Sequence, residues 1–444
     1  MMPTRRVLMV SQHRYHPQQM ELQFPGHPTL SRNLSELLAH GVQIDLVCIT
    51  PQRCFGSRVP EHPGVRLYGI SLKPRRSPAY WYLLQYAIFF LWALVAVSIL
   101  GLRRRYDIVQ VDTLPDLLVF STIVPRLRGM PVVLYVYDLM PEMTAVRLGI
   151  DGNDRRVRLV AAIERAATTW ADRVITVTDR FRRSMVERGL DSRKVVLVAN
   201  SHPVGELPPR VPPASPILIL PTTLIARYGV QVAIYAVDKL RCDWPDLTLR
   251  ILGDGENRAN LMALAQRLGL GDHVSFSRGF VPWREAMEEV RRASIGIVPI
   301  AAEGYGNLIL PNKVFEFVFL EIPFVCSRLP GIQDHLPPDA VAYFEPGDAG
   351  GLAAQVHWLL TNPEAARLQA RRAKEAMADL AWEHASRRYL EALGVVPSVE
   401  SALARSDDTR VGDNRRVPSL ASEEPCETYG SVGEGRNWIP PVEY

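Results

Sequence analysis

The residues best suited to chemistry in this sequence lie in one short stretch that contains Pro311, Lys313 and Glu316. An apolar strand-like run, residues 294–300, precedes this stretch and another, residues 322–327, follows it, so the pattern predicts strand, loop, helix and strand. Proline fits the start of a helix because it lacks only an N–H that has no intrahelical partner there. The remaining free N–H groups attract an anion, and Lys313 adds a positive charge at the same end.

Glu316 lies one turn further along the same face of the predicted helix. A carboxylate in this position can accept hydrogen bonds from two ribose hydroxyls, as carboxylates do at nucleotide sites in wound sheets. The alternative is a solvated ion pair between Lys313 and Glu316, which is common on helix surfaces and needs no function. The context of the stretch within the whole chain has to decide between the two interpretations.

The length and composition predict a globular protein with two domains. A chain of 444 residues is too long for one ordinary core, and 47% of its residues are hydrophobic. The 51 basic and 47 acidic residues leave a net charge of +4, which is too small to indicate a nucleic-acid partner. The five cysteines include no pair at metal-ligand spacing, so we expect no metal site, no disulfide framework and a reducing cytosolic environment.

Strand and helix patterns alternate along most of the chain, which predicts an α/β fold of two doubly wound, Rossmann-like domains facing a cleft. The two series are separated by residues 203–216, where prolines recur as in a semi-rigid linker. The predicted domains are therefore residues 1–202 and 217–396. Residues 397–444 are polar and without period, and we predict a disordered tail there.

An uncharged segment in the first domain is long enough to cross a bilayer. Residues 80–102 are nearly all aromatic or aliphatic, with Lys73, Arg75 and Arg76 before them and Arg103, Arg104 and Arg105 after them. Strand character resumes at once at residue 107, so both ends of the segment have to feed one sheet. We therefore expect a membrane-associated insertion, residues 77–105, that dips into the cytosolic leaflet with arginines on lipid headgroups. A helix buried between subunits or under other helices, and a true span, are the alternatives.

Polar residues mark the carboxyl end of a predicted strand in the first domain, residues 132–136. Tyr137 and Asp138 follow this strand directly, and Glu142 comes four residues later. Parallel sheets bind ligands at the carboxyl ends of their strands, so Asp138 is placed to orient or deprotonate a hydroxyl. The alternative for Asp138 is a cap for the turn that follows.

Short motifs in both predicted domains carry a family resemblance. In the second domain they occupy residues 223–229 (TLIARYG), 249–256 (LRILGDGE), 296–299 (GIVP) and 310–316 (LPNKVFE), and in the first domain residues 106–111 (YDIVQV), 138–142 (DLMPE) and 171–177 (ADRVITV). Together they resemble the retaining GT-B glycosyltransferases of family four, and among these the bacterial enzymes that build cell-surface polysaccharides or glycolipids. The resemblance extends over nearly all of residues 6–393.

The resemblance implies a nucleotide diphosphate sugar bound to the second domain, with the acceptor on the side of the first. Its implied donor-binding residues are Thr223, Arg227, Gly279, Phe280, Val281, Asn312, Lys313 and Glu316, and its implied catalytic residues are Tyr137, Asp138 and Glu142. Such enzymes use no metal and no other cofactor, because cationic side chains and a helix N-terminus neutralise the diphosphate. The implied reaction is a retaining transfer to a lipid-linked or glycolipid acceptor. The implied location is the inner face of the cell membrane, as a peripheral or monotopic protein.

The sequence departs from the family pattern at several positions. Asp112 and Tyr137 stand where the family usually has histidine, and Thr222 replaces the glycine of a His-Gly-Thr-Leu turn. Of two glutamates usually eight residues apart, the first is replaced by Leu308, with Glu303 as a displaced candidate. Two alternatives therefore stay open: a catalytically degenerate protein that binds nucleotide or a partner transferase, and a sugar-nucleotide epimerase.

Overall fold

A computed structural model describes residues 5–15, 28–59, 62–72, 79–113, 115–203, 213–302 and 304–397. Parts of four sequence predictions lie outside these residues. They are the tail beyond Pro397, residues 204–212 of the predicted linker, the basic residues Lys73, Arg75 and Arg76, and Glu303.

The N-lobe is an eight-stranded sheet with helices on its faces. Its elements are β1 (Arg6–Arg14), α1 (Pro28–Ala39), β2 (Gln43–Ile49), β3 (Cys54–Val59), β4 (His62–Ile70), α2 (Ala79–Arg103), β5 (Ile108–Asp112), α3 (Ile123–Leu127), β6 (Val132–Val136), α4 (Met140–Leu148), α5 (Arg155–Trp170), β7 (Arg173–Thr176), α6 (Asp179–Glu187) and β8 (Val195–Leu197). The strand order is β3-β4-β2-β1-β5-β6-β7-β8, and only the β3–β4 pair is antiparallel. Strands β5 and β6 are buried along their whole length, as apolar runs in a parallel sheet should be.

The C-lobe is a six-stranded, fully parallel sheet. Its elements are β9 (Ile217–Pro221), α7 (Val230–Leu240), β10 (Thr248–Leu252), α8 (Arg258–Arg267), β11 (Val274–Phe276), α9 (Trp283–Arg291), β12 (Ile295–Val298), α10 (Asn312–Phe319), β13 (Phe324–Ser327), α11 (Pro330–Gln333), β14 (Ala342–Phe344), α12 (Ala349–Thr361) and α13 (Pro363–Ala376). The strand order is β11-β10-β9-β12-β13-β14. The predicted fold class, two wound Rossmann-like sheets, is confirmed.

Each sheet contains one point at which the strand order reverses, between β1 and β5 in the N-lobe and between β9 and β12 in the C-lobe. Wound sheets bind ligands beside such points, at the carboxyl ends of the strands. Strand β5 ends at Asp112, and β9 ends at Pro221, directly before Thr222 and Thr223. The topology therefore brings residues singled out in the sequence to the ligand-binding edge of each sheet.

The uncharged segment forms one continuous helix, α2, and its two ends join β4 and β5 of the same sheet. One face packs on the N-lobe with Phe89, Ala93, Ala96, Val97 and Leu100 buried, whereas Leu84, Leu91, Val95 and Leu102 on another face are 42% to 64% exposed. By length and composition, residues Leu83–Arg103 could cross a membrane. Of an apolar 18-residue stretch within this range, 28% is buried against the rest of the protein. The helix thus lies along the lobe and presents an apolar stripe outward.

The final helix of the described chain, α14 (Trp382–Ala392), returns from the C-lobe to pack against α1, β7 and β8. The Tyr389 hydroxyl donates to Gln110 Oε1 at 2.8 Å, inside the N-lobe. Arg173 Nη1 donates to the Ala392 carbonyl oxygen at 2.7 Å. A helix from beyond the C-lobe sheet therefore completes the core of the N-lobe.

Candidate active site

A cleft of about 1020 Å³ between the lobes brings most of the predicted site residues together. The N-lobe contributes Tyr137 and Asp138 to its lining, and the C-lobe contributes Thr223, Arg227, Phe280, Val281, Asn312, Lys313 and Glu316. Glu142 and Gly279 are not among the lining residues.

Lys313 provides a buried positive charge at the start of α10. The helix begins at Asn312 with Pro311 as its N-cap residue, and no side chain caps its first N–H groups. Lys313 is only 7% exposed, and its Nζ donates to Thr222 Oγ1 at 2.8 Å. Burial lowers the pKa of Lys313 to about 7, against the opposing effect of the Glu316 charge. An anion at this helix end would stabilise the charged form of the lysine.

Arg227 brings a second cation to the same part of the cleft. Its Cζ is 5.2 Å, and the Lys313 Nζ is 4.9 Å, from the centroid of the Tyr228 ring. Arg227 Nε is buried and has no hydrogen-bond partner among the described residues. The turn after Arg227 requires glycine, because Gly229 has a φ of 62° and a Cβ there would lie 1.7 Å from the Pro299 carbonyl oxygen.

The carboxylate of Glu316 faces the cleft with one hydrogen bond from the protein. Trp283 Nε1 donates to Glu316 Oε1 at 3.2 Å. Burial raises the pKa of Glu316 to about 7, whereas the Trp283 hydrogen bond and the Lys313 charge act in the opposite direction. Both Lys313 and Glu316 line the cleft. The pair is therefore not the solvated surface ion pair that the sequence left open.

Asp138 is linked across the cleft to Tyr305, a residue that the sequence did not single out. Asp138 follows β6, and Tyr305 lies in a short 3₁₀ helix, Gly304–Asn307, of the C-lobe. The buried Tyr305 hydroxyl donates to Asp138 Oδ1. Burial raises the pKa of Asp138, while the Tyr305 hydrogen bond and the positive charge of Arg227 oppose that rise. The pKa of the Asp138 carboxyl therefore depends on two groups of the C-lobe, Tyr305 and Arg227.

The two positions where the family usually has histidine are buried neighbours. Tyr137 stacks on Tyr135, with ring centroids 4.2 Å apart and 22° between the planes. Burial, and then the nearby charge of Asp112, raise the pKa of Tyr137 well above its usual value. Gln110 Nε2 donates to Asp112 Oδ1 at 2.8 Å, and burial raises the pKa of Asp112 to about 6. Tyr137 therefore stays neutral at physiological pH.

Glu142 is held away from the cleft. It lies in the first turn of α4, where Arg188 Nη1 donates to Glu142 Oε1 at 2.7 Å and Arg188 Nε donates to Glu164 Oε1 at 2.7 Å. The structure therefore does not bring Glu142 together with Tyr137 and Asp138. The predicted grouping of these three residues fails at Glu142, because the first turn of α4 directs its carboxylate to Arg188.

The remaining predicted donor-binding residues lie at the edge of the cleft. Thr223 is exposed, and Phe280 is 60% exposed. Gly279 has a φ of 145°, and its carbonyl oxygen accepts a hydrogen bond from Ser277 Oγ at 2.7 Å. Asn312 Oδ1 accepts from Asn200 Nδ2 of the N-lobe at 2.9 Å. Thr223, Phe280 and Asn312 therefore line the cleft, whereas Gly279 is only the chain neighbour of a lining residue.

Two family models match the chain, one over each lobe. The Glycosyl transferase 4-like domain matches residues 26–201, and the Glycosyl transferases group 1 model matches residues 215–362. Together these matches cover more than half of the chain. The chain is a GT-B glycosyltransferase of the family-four-like type.

Among curated proteins, the glycosyltransferase is 28% identical over 157 residues to the GDP-mannose-dependent alpha-(1-6)-phosphatidylinositol monomannoside mannosyltransferase of Mycolicibacterium smegmatis. That alignment covers 34% of this chain and 40% of the relative. The chain spans about half the length of the curated relatives it matches first, from 40% to 55%.

Solved structures resemble the glycosyltransferase over most of its length. Sucrose-phosphate synthase from Thermosynechococcus elongatus has a TM-score of 0.67 at 16% identity, covering 91% of this chain and 100% of that one. Anabaena HepE in complex with UDP-glucose has a TM-score of 0.63 at 14% identity, covering 88% and 100%. At these identities the two structures show the fold alone.

Several cleft residues of the glycosyltransferase were missed in the sequence because no motif marks them. Thr29 Oγ1 donates to Asn200 Oδ1 at 2.6 Å, and Asn200 in turn reaches the C-lobe. His202 and Trp283 also line the cleft. For Tyr305 there was one usable signal, its place between Gly304 and Gly306 just before the Lys313 motif.

Proposed function

We propose that the glycosyltransferase moves a sugar from a nucleotide diphosphate sugar to a lipid-linked or glycolipid acceptor at the cytosolic face of a membrane, with retention and without a metal. The observation that carries the donor assignment is that Lys313 at the start of α10 and Arg227 both line the cleft and both lie beside the Tyr228 ring, while Asp138 lines the same cleft from the N-lobe. Two cations and a helix N-terminus match the charge of a diphosphate. The resemblance to HepE, which binds UDP-glucose, supports the same assignment.

In this proposal the charges of the cleft drive the transfer. The bond from the sugar C1 to the diphosphate oxygen breaks while Lys313 and Arg227 neutralise the leaving group, which leaves positive charge on the sugar. The acceptor hydroxyl forms the new bond to C1 on the same face, and its proton leaves with the diphosphate. Asp138 lies on the N-lobe side, where it can orient a hydroxyl and stabilise the positive sugar.

The apolar stripe of α2 supports a membrane location. Five of its residues, Leu84, Ile88, Leu91, Val95 and Leu102, are at least 36% exposed and recur at helical spacing. Leu117, Ile123 and Leu127 are exposed on elements that pack beside α2. Arg103 and Arg105 at the end of the helix are placed for lipid headgroups, whereas Arg104 Nη1 is held by Asp45 Oδ2 at 2.9 Å.

Native mass spectrometry of the full chain against a mixture of UDP-, GDP- and ADP-sugars tests the donor assignment, followed by release of the nucleoside diphosphate from whichever sugar binds. We expect one donor to bind and to turn over. A chain that binds none of them would contradict the proposal. Binding without turnover across the panel, or co-purification with an active transferase, would favour the degenerate alternative, which the buried Asp112 and Tyr137 keep open.

Replacing both Leu91 and Val95 with glutamate is expected to reduce binding to vesicles of phosphatidylglycerol and phosphatidylcholine by about tenfold or more. Each exposed aliphatic side chain gains about 1 to 2 kcal/mol when lipid covers it, and a glutamate is repelled by anionic headgroups. Sedimentation with the vesicles measures the change. Leu368→Glu, an exposed leucine of α13 in the C-lobe, is the matched control. Equal loss in the control, or no loss in the double variant, would contradict the assignment of this face.

A further inference from the structure

His202 is a cleft residue with unused hydrogen-bonding capacity. It follows β8 at the end of the N-lobe, lines the cleft and is only 7% exposed. Neither ring nitrogen has a partner with hydrogen-bond geometry among the described residues. A histidine kept for packing alone would be expected to bond at least one nitrogen to the fold, because an unsatisfied buried polar group is costly.

The imidazole of His202 is neutral in this site. Burial and the positive charge of Arg32 lower the pKa of His202 well below the usual value. Only the contact of the ring with the Asn200 backbone raises this pKa. A neutral imidazole offers one N–H donor and one acceptor nitrogen. Arg32 itself is engaged elsewhere, since its guanidinium donates to the Ser201 carbonyl oxygen and to Asn33 Oδ1. His202 therefore lines the cleft as an uncharged imidazole, and the Asn200 backbone is the only group that approaches it as a hydrogen-bond partner among the described residues.

The position of His202 connects it to Glu316. Its ring stacks on Trp283, with centroids 5.6 Å apart and 24° between the planes. The same Trp283 donates from Nε1 to the Glu316 carboxylate. The neighbourhood of His202 thus combines an aromatic face, a carboxylate and a neutral imidazole. Such a surface suits hydroxyls and an uncharged heterocycle, whereas a phosphate would be repelled by Glu316.

We propose that His202 binds the nucleoside part of the donor from the N-lobe, hydrogen-bonding a ribose hydroxyl or the edge of the base opposite Glu316. This inference rests on the proposed function, because it takes a nucleoside diphosphate as the ligand. Both lobes then take part in binding the donor. Lys313 and Arg227 hold the diphosphate from the C-lobe alone, and the nucleoside bridges to the N-lobe through His202.

Titration calorimetry on the full chain with UDP, GDP and inorganic pyrophosphate tests this division. His202→Phe keeps an aromatic ring against Trp283 and removes both nitrogens. We expect it to raise the Kd of the bound nucleoside diphosphate by about five- to tenfold, as expected for one lost hydrogen bond, and to leave the pyrophosphate Kd unchanged. His202→Gln, which restores a donor and an acceptor, should recover most of the affinity. If His202→Phe does not fold, His202→Leu, which also removes both nitrogens, takes its place with the same expected loss.

The outcomes separate this inference from the proposed function. An unchanged nucleoside diphosphate Kd in His202→Phe would overturn the inference alone. An equal loss of pyrophosphate affinity would also overturn it, because His202 would then act on the cleft as a whole. A wild-type chain that binds neither UDP nor GDP would overturn the proposed function and this inference together.

Discussion

Replacing Lys313 with alanine is expected to weaken nucleoside diphosphate binding by about 100-fold. The variant removes a buried positive charge at the start of α10, and a charge-assisted bond to phosphate accounts for about 1.5 to 3 kcal/mol. Calorimetry with the nucleoside diphosphate that binds the wild type measures the change. Lys239→Ala removes an exposed lysine from α7 of the same lobe and should leave the Kd unaltered. Equal affinities for wild type and Lys313→Ala would place the diphosphate elsewhere.

The pH dependence of donor binding offers an independent test of Lys313. Its pKa in the free protein is lowered to about 7, and a bound diphosphate would raise it by favouring the charged form. Affinity should therefore be highest below pH 7 and fall as the pH rises through that value, by about tenfold at pH 8.5. Glu316 ionises over the same range, and its charge both favours the protonated lysine and repels the diphosphate. With a nucleotide sugar, whose phosphates do not titrate here, Lys313→Met should lose the part of this dependence that the lysine causes and keep only the part due to Glu316.

The second large effect is expected for Asp138→Asn, which should lower kcat by about 1000-fold while changing the donor Kd less than about threefold. The amide keeps an oxygen for the Tyr305 hydroxyl, so the contact across the cleft survives and only the negative charge is lost. Charge matters because the sugar becomes positive as its bond to the diphosphate breaks. Steady-state transfer and calorimetry with the same donor separate the two quantities.

Asp191→Asn is the matched control for that experiment. Asp191 is an exposed carboxylate of the same lobe and pairs with Arg193 Nη2 at 2.9 Å on the surface. It should retain wild-type kcat. If Asp138→Asn also retains it, Asp138 serves only the contact with Tyr305 across the cleft.

The predictable part of this molecule is the part that local patterns encode. The apolar strands and the repeated helix periods identify both sheets, and the Pro-Asn-Lys motif locates the start of α10 within one residue. Strand β3 was missed because it lies at the sheet edge with Gly56, Ser57 and Arg58 in its centre, so it lacks an apolar pattern. For α2, composition alone could not choose between span and surface. The return of both ends to one sheet favours the surface.

The contacts across the cleft could not be predicted from the sequence. Tyr305 and Asp138 are 167 positions apart, and Asn200 and Asn312 are 112 apart, so no local period relates them. Their meeting depends on how the two lobes face each other, which side-chain patterns within one lobe do not specify. For Glu142 the error is the reverse. Its closeness to Asp138 in the sequence suggested that the two carboxylates share a site, but the first turn of α4 directs Glu142 to Arg188.

The return of α14 to the N-lobe has a consequence for the synthesis of this protein. Gln110 receives its hydrogen bond from Tyr389, a residue translated 279 positions later. The N-lobe emerges first from the ribosome, and its surface at β7 and β8 stays uncovered until the C-lobe and α14 have been translated. During that interval the nascent chain is exposed to aggregation, and chaperones have a defined surface to protect.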